Sequence, residues 1–143
     1  MTEDTTDLLI RSGGCQCGAL RYELRGVPID LYACHCRECR KQSASAFGIT
    51  VMVRSADVVL VKGDFKIWSR PADSGGTVDC AFCPTCGTRI WHGNIAEETE
   101  IGIKGGSLDI PIDMSGAKQI WVSRKVPGIV FADDAVQFDE EPI

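Results

Sequence analysis

Cys80-Ala81-Phe82-Cys83-Pro84-Thr85-Cys86-Gly87 decides how the rest of the chain is read. Cys83 and Cys86 form a C-x-x-C pair that a tight turn aims at one ion, and Gly87 permits the left-handed corner on which such a turn ends. A second pair lies far upstream, in Gly14-Cys15-Gln16-Cys17-Gly18. Residues i and i+2 of a strand share a face, so Cys15 and Cys17 also present two thiolates in one direction. Each pair is followed directly by glycine. Cys15, Cys17, Cys83 and Cys86 are therefore the natural four-thiolate set, the closed layout of a structural zinc. An ion there staples an early strand to a late one and couples metal binding to folding.

Between the pairs lies Cys34-His35-Cys36-Arg37-Glu38-Cys39. Cys34 and Cys36 are expected on one strand face, and Cys39 returns through a C-x-x-C turn. Three protein ligands with one open position is the layout of a catalytic zinc, which admits water or an incoming thiol. Strand alternation sends His35 to the opposite face, where it is read as a hydrogen-bonded non-ligand. Two other readings stay open: Cys80 closes the site as a fourth thiolate, or the three thiols form a redox cluster. Cys80 is otherwise a spare buried thiol. Iron competes for the Cys83–Cys86 knuckle, but the ferredoxin run C-x2-C-x2-C-x3-C-P is absent.

The remaining composition is that of one globular domain. The chain has 143 residues, of which 44% are hydrophobic and 24% charged, a balance foreign to disordered and fibrous proteins. A formal charge of −5 argues against nucleic-acid binding by phosphate neutralisation. No stretch approaches the ~20 apolar residues of a membrane span. The opening MTEDTTDLL carries acids where a secretory signal carries bases, which points to the cytoplasm. In that reducing compartment, eight cysteines signify metal binding or catalysis rather than disulfides. Residues 1–12 are expected to be a mobile lead, 13–143 a single zinc-binding domain, and 138–143 a loose end within it. Oligomeric state carries no sequence signal.

Short alternating stretches predict a mainly β fold with little helix. Leu20, Tyr22 and Leu24 alternate with charged residues, and Phe47, Ile49, Val51 and Val53 mark a second strand. Residues 58–61 and 65–68 are expected as a hairpin across Lys62-Gly63-Asp64. Further strands are expected at 90–92, 100–103 and 119–122, and one short helix at 40–46. Trp68, Trp91 and Trp121 are read as core.

The three cysteine clusters, in this order, resemble the glutathione-dependent formaldehyde-activating enzyme (GFA) family. The matching pieces are Gly14 to Gly18, Cys34 to Lys41, Phe82 to Thr88 and Gly106-Ser107-Leu108-Asp109. The resemblance covers residues 13–142 and implies an Mss4-like, folded-over antiparallel β structure with two zinc ions per chain. It assigns a structural zinc to Cys15, Cys17, Cys83 and Cys86, and a catalytic zinc to Cys34, Cys36 and Cys39. The implied reaction condenses glutathione with formaldehyde, carbon–sulfur lyase chemistry run in reverse. Cys80 departs from a position that is basic in many members. A free thiol has pKa ≈ 8.5, so lowering it by two units, worth ~2.7 kcal/mol, makes the nucleophilic thiolate abundant at neutral pH. Arg37, Arg40 and Lys41 flank the three-cysteine cluster and are the candidates for holding glutathione's carboxylates. Glu38 is a candidate proton carrier. Two other functions fit the residues: a non-catalytic zinc module that binds a protein, and a zinc- or redox-responsive thiol protein.

Overall fold

A computed structural model describes residues 10–72 and 75–142. Among these the alternating stretches form ten strands: β1 (Ile10–Gly14), β2 (Arg21–Arg25), β3 (Asp30–Cys34), β4 (Gly48–Arg54), β5 (Val58–Lys62), β6 (Lys66–Pro71), β7 (Thr77–Phe82), β8 (Arg89–His92), β9 (Glu100–Lys104) and β10 (Lys118–Ile120). One α-helix, α1 (Arg37–Ser43), interrupts them, along with three single-turn 3-10 segments. A three-stranded sheet runs β1-β2-β5, and a seven-stranded sheet runs β10-β3-β4-β9-β8-β7-β6. Every pair is antiparallel except β10 with β3. The fold is mainly β, as expected.

The large sheet uses its two faces differently. Val51, Val53, Ala81, Trp91, Ile101 and Ile103 alternate onto one face and form the core with Leu20, Tyr22 and Leu24 at the small sheet. Phe65 sets its ring against Trp91, with centroids 4.7 Å apart. Burying each large side chain of this kind contributes about 1.5–3 kcal/mol. The other face follows from the same register. Trp68, Cys80, His92, Gly102 and Met52 lie in one cross-strand row, and Lys104, Thr50 and Tyr32 in the next. This second face floors the functional cavity.

The Gly106 to Asp109 piece clasps the two sheets together. Ser107 donates to the Lys104 carbonyl (2.7 Å) and accepts from the buried Tyr22 hydroxyl (2.6 Å). Burial pushes that Tyr22 hydroxyl up to about 12. Asp109 pairs with Arg21, and its N–H donates to the Ser12 carbonyl at 2.9 Å. Gly13 passes so close that a Cβ there would stand 2.5 Å from the Tyr22 oxygen.

Several expectations need correction. The helix begins at Arg37 rather than residue 40, because Cys36 caps it: its Sγ accepts from the Cys39 N–H at 3.4 Å. Cys36 is therefore a helix cap just past the end of β3, not a strand residue. Ala44, in the left-handed region at φ 51, ends the helix before residue 46. Residues 58–61 and 65–68 do not pair, because β5 joins β2 while β6 joins β7. Gly63, at φ 77, turns the chain from one sheet to the other, where a Cβ would stand 2.0 Å from the Ala19 carbonyl oxygen. Residues 10–12 belong to β1 rather than to a lead, since they pair with Glu23, Leu24 and Arg25; residues 1–9 lie outside the described residues. The C-terminal stretch is not loose. Phe138 N–H donates to Gln119 (2.8 Å) and Trp121 N–H to Glu140 (3.0 Å), so it docks along β10. Ile143 lies outside the described residues. The strand expected to carry Cys15 and Cys17 stops at Gly14, so both lie in the turn that follows β1, and the strand expected to carry Cys34 and Cys36 stops at Cys34. The rest of β1 and β3, and all of β7, carry no alternating apolar signal because glycines, charges and cysteines break the pattern.

Candidate metal centres

All eight cysteines are free thiols, and seven of them gather into two clusters. Cys15 and Cys17 sit in the turn between β1 and β2, and Cys83 and Cys86 in the turn between β7 and β8. Gly18 (φ 81) and Gly87 (φ 83) follow the two pairs in the left-handed region, as the motif required. Sγ of Cys17 lies 3.6 Å from that of Cys15 and 3.8 Å from that of Cys83, and all four sulfurs lie within 4.8 Å of one another. A tetrahedron with metal–sulfur bonds of about 2.3 Å has edges of about 3.8 Å, so these residues fit one ion. Backbone N–H groups of Leu20 and Thr85 donate to Cys15 (3.2 Å) and Cys83 (3.4 Å). Thr88 stitches the two turns together: its hydroxyl oxygen accepts from Gln16 N–H (3.1 Å) and lies 3.2 Å from Cys86 Sγ. That hydroxyl and the adjoining backbone hold the Cys86 thiol down to about 5.

The second cluster is Cys34, Cys36 and Cys39, again with all sulfurs within 4.8 Å. Cys34 ends β3, Cys36 caps α1 and Cys39 lies in its first turn. The extended conformation of Cys36 (φ −69, ψ 163) turns its thiol back toward Cys34. Gly48 is what lets the helix close down. It pairs with Cys34, and a Cβ there would stand 3.2 Å from the Cys39 Cβ. Thiols this crowded cannot all ionise separately. The neighbouring thiols of Cys34 and Cys39 hold Cys36 down to about 2, and the same crowding pushes Cys34 far up. The group thus concentrates one negative charge where a cation would sit.

This cluster forms one corner of a cavity of about 370 Å³, open to solvent. The floor is the polar face of the large sheet, and α1 and the C-terminal Glu141 and Pro142 stand at the rim. Lys104 donates from Nζ to His92 Nδ1 at 2.8 Å. His92 is therefore the neutral tautomer with its proton on Nε2. Burial, then the charges of Lys104 and Arg70, hold its pKa down to about 3 against the opposing pull of Cys36. Burial lowers the Lys104 ammonium as well, against the attraction of Cys39 and Cys80. Gly102 makes room for the imidazole: a Cβ there would stand 2.5 Å from His92 Cε1. Arg89 lies over the Trp68 ring, 5.3 Å from its centroid.

The residues singled out from the sequence divide clearly. Both cysteine sets assemble as expected. Of the flanking cations, Lys41 lines the cavity, and so does Glu38, whereas Arg37 and Arg40 are not part of its lining. His35 is fully buried (0% exposed), with Nε2 2.8 Å from the Gln119 amide oxygen and its ring between Phe47 and Phe131. Cys80 lines the cavity floor but is not in the three-cysteine group. Only Trp91 among the tryptophans is core (1% exposed); Trp68 is 50% exposed at the cavity, and Trp121 is half-buried, donating to Glu141 at 3.0 Å. Sequence reasoning missed Arg70, Arg89, His92 and Lys104. The alternation in Glu100-Ile101-Gly102-Ile103-Lys104 carried the signal, since Ile101 and Ile103 face the core and Lys104 must face away.

The family described as glutathione-dependent formaldehyde-activating enzyme matches residues 10–124 of this chain, from the first strand past both metal centres. The chain belongs to that family. A Rhodobacter sphaeroides protein known from its crystal structure is similar in fold, with a TM-score of 0.57 at 23% identity, covering 76% of this chain and 98% of its own. The GFA family is one of enzymes, and membership in it points to a glutathione-linked, formaldehyde-activating or related function. Its two clusters have the donor chemistry to hold metal ions. No helix among the described residues is long and apolar enough to cross a membrane.

Proposed function

We propose that the protein is a zinc-dependent enzyme of the carbon–sulfur lyase type, which joins glutathione or a related thiol to formaldehyde or another small electrophile. The observation that carries this reading is a three-sulfur set left one ligand short beside a cavity. Three thiols frame the corner of a 370 Å³ cavity, while the other centre gathers four sulfurs, enough to surround an ion. Thiolate sulfur is a donor set suited to zinc, and two ions per chain are expected, one in each cluster.

In this reading Cys15, Cys17, Cys83 and Cys86 hold a structural ion, and Cys34, Cys36 and Cys39 hold the catalytic one. Bound there, zinc supplies Lewis acidity that favours the ionised form of a thiol or polarises a carbonyl. In the reaction the thiol sulfur forms a bond to the carbonyl carbon, the C=O π pair moves to oxygen, and the thiol proton ends on that oxygen. No redox change occurs. His92, neutral at physiological pH, offers Nε2–H to the oxygen that gains charge. Lys41 faces the same space from α1, and Arg37 and Arg40 are left to contact the part of a peptide thiol extending beyond the cavity. Glu38 at the rim is the group able to carry the proton. A cytoplasmic location supplies the reduced thiol this chemistry requires.

The test is the rate of adduct formation between glutathione and formaldehyde, followed by NMR against a protein-free control. Protein carrying two zinc ions should exceed the spontaneous rate, and Cys36→Ser should return to it while keeping its fold. A fully metallated wild-type protein that leaves the rate at the spontaneous level sinks the reading.

A further inference from the structure

We propose that Arg70, Arg89 and Lys104 form a carboxylate-binding subsite on the sheet wall of the cavity, facing the three-cysteine corner. This rests on reading the cavity as the place where a thiol meets an electrophile. It adds which side chains hold the acid group of a reactant.

The three cations come from β6, β8 and β9 and converge on one cavity. Each is oriented by an uncharged partner. Lys104 donates to neutral His92, Arg89 lies over Trp68, and Arg70 donates to the Pro71 carbonyl at 3.3 Å. Among the described residues none of them pairs with a carboxylate; the ion pairs there are Arg21–Asp109, Arg25–Glu23 and Lys118–Asp30. Partners without charge fix the side chains but leave their charge and remaining donors unused. Half-buried cations in that state favour an incoming anion.

The charge balance of the cavity agrees. Lys41, Arg70, Arg89 and Lys104 face it, against the carboxylates of Glu38 and Glu141. Three thiolates around one divalent ion add a single net negative charge, so the lining stays positive. Glu141 is further engaged by the Trp121 indole, which donates to it. Neutral formaldehyde makes no use of such a wall. A guanidinium fork beside an ammonium suits a carboxylate, which accepts two parallel hydrogen bonds. That carboxylate comes either from the terminus of a peptide thiol or from an electrophile that is itself an acid, such as a 2-oxo acid.

The experiment is calorimetric titration of the zinc-loaded protein with two acid–ester pairs: S-methylglutathione against its diethyl ester, and glyoxylate against its ethyl ester. The acid of at least one pair is expected to bind tenfold or more tightly than its ester. Arg89→Met and Lys104→Met should each erase most of that ratio while zinc content stays at two per chain. A preference in the first pair assigns the subsite to the thiol, and one in the second assigns it to the electrophile. Equal binding of acid and ester in both pairs overturns the proposal. So does a ratio that survives in Arg70→Met, Arg89→Met and Lys104→Met alike, or a Lys104→Met effect confined to zinc content. Acid-selective binding by a protein that never joins thiol to aldehyde leaves the subsite standing and removes the reaction proposed above.

Discussion

The two cysteine clusters use the same ligand chemistry in opposite settings. The four-thiol centre joins two turns that are 66 or more residues apart, and its sulfurs are supported by local N–H groups and by Thr88. The three-thiol centre is built at one strand end and the helix that follows it, and it faces a cavity. The first closes a long loop, so an ion there acts on the folding equilibrium. The second closes a loop of a few residues, and an ion there adds little to chain order. What distinguishes a stabilising centre from a reactive one here is the span of chain it closes and the number of sulfurs it offers, four against three, not the type of ligand.

The widest separation between the two should appear on removing one ligand from each. Cys83→Ser, at a fully buried sulfur, is expected to lose several kcal/mol and with them the cooperative unfolding transition seen by circular dichroism. Cys36→Ser is expected to keep that transition within a few degrees and to bind one zinc fewer. A stably folded Cys83→Ser protein with two zinc ions breaks the comparison. Metal removal comes next in size. A chelator should take one ion rapidly from the native protein and the second only as the protein unfolds, read by a colorimetric zinc assay. Simultaneous release would make the centres equivalent.

A smaller effect concerns acid stability on the cavity side. His92 titrates near 3 when folded and near 6.5 when unfolded. The unfolded chain thus binds the extra proton between these values, and stability falls as pH drops from about 6.5 toward 3. His92→Gln removes this contribution, so its denaturation midpoints should decline less steeply than wild type over that window. Parallel profiles would show that burial does not hold the imidazole neutral. The smallest expected change is at Thr88→Val, which deletes the hydroxyl joining Gln16 to Cys86. It should cost about 1 kcal/mol by urea titration and leave the zinc of the three-thiol centre in place.

Both ligand sets were legible in the sequence because C-x-C and C-x-x-C act through local geometry. Short separation keeps two sulfurs within reach of one ion even though neither C-x-C pair is a strand repeat: Cys15 and Cys17 occupy a turn, and Cys36 caps a helix. The helix start was misread because Cys36 does a capping job usually given to serine or aspartate. The expected hairpin failed at Gly63 because its strands found partners in different sheets, a choice made by distant residues. The docking of residues 137–140 along β10 was equally invisible, since their own pattern is polar and short.

The sequence by itself determined that the chain is mainly β, that seven of its sulfurs divide four and three, and that His35 stands apart from them. Only the tertiary structure decided what faces the three-thiol corner. Arg70, Cys80, His92 and Lys104 sit on four different strands, and cross-strand register alone brings them onto one floor. Register is settled by burying the opposite face of the same strands, where Trp91, Ile101 and Ile103 meet Tyr22 and Leu24. Period-two alternation then leaves the polar side chains no direction but the cavity.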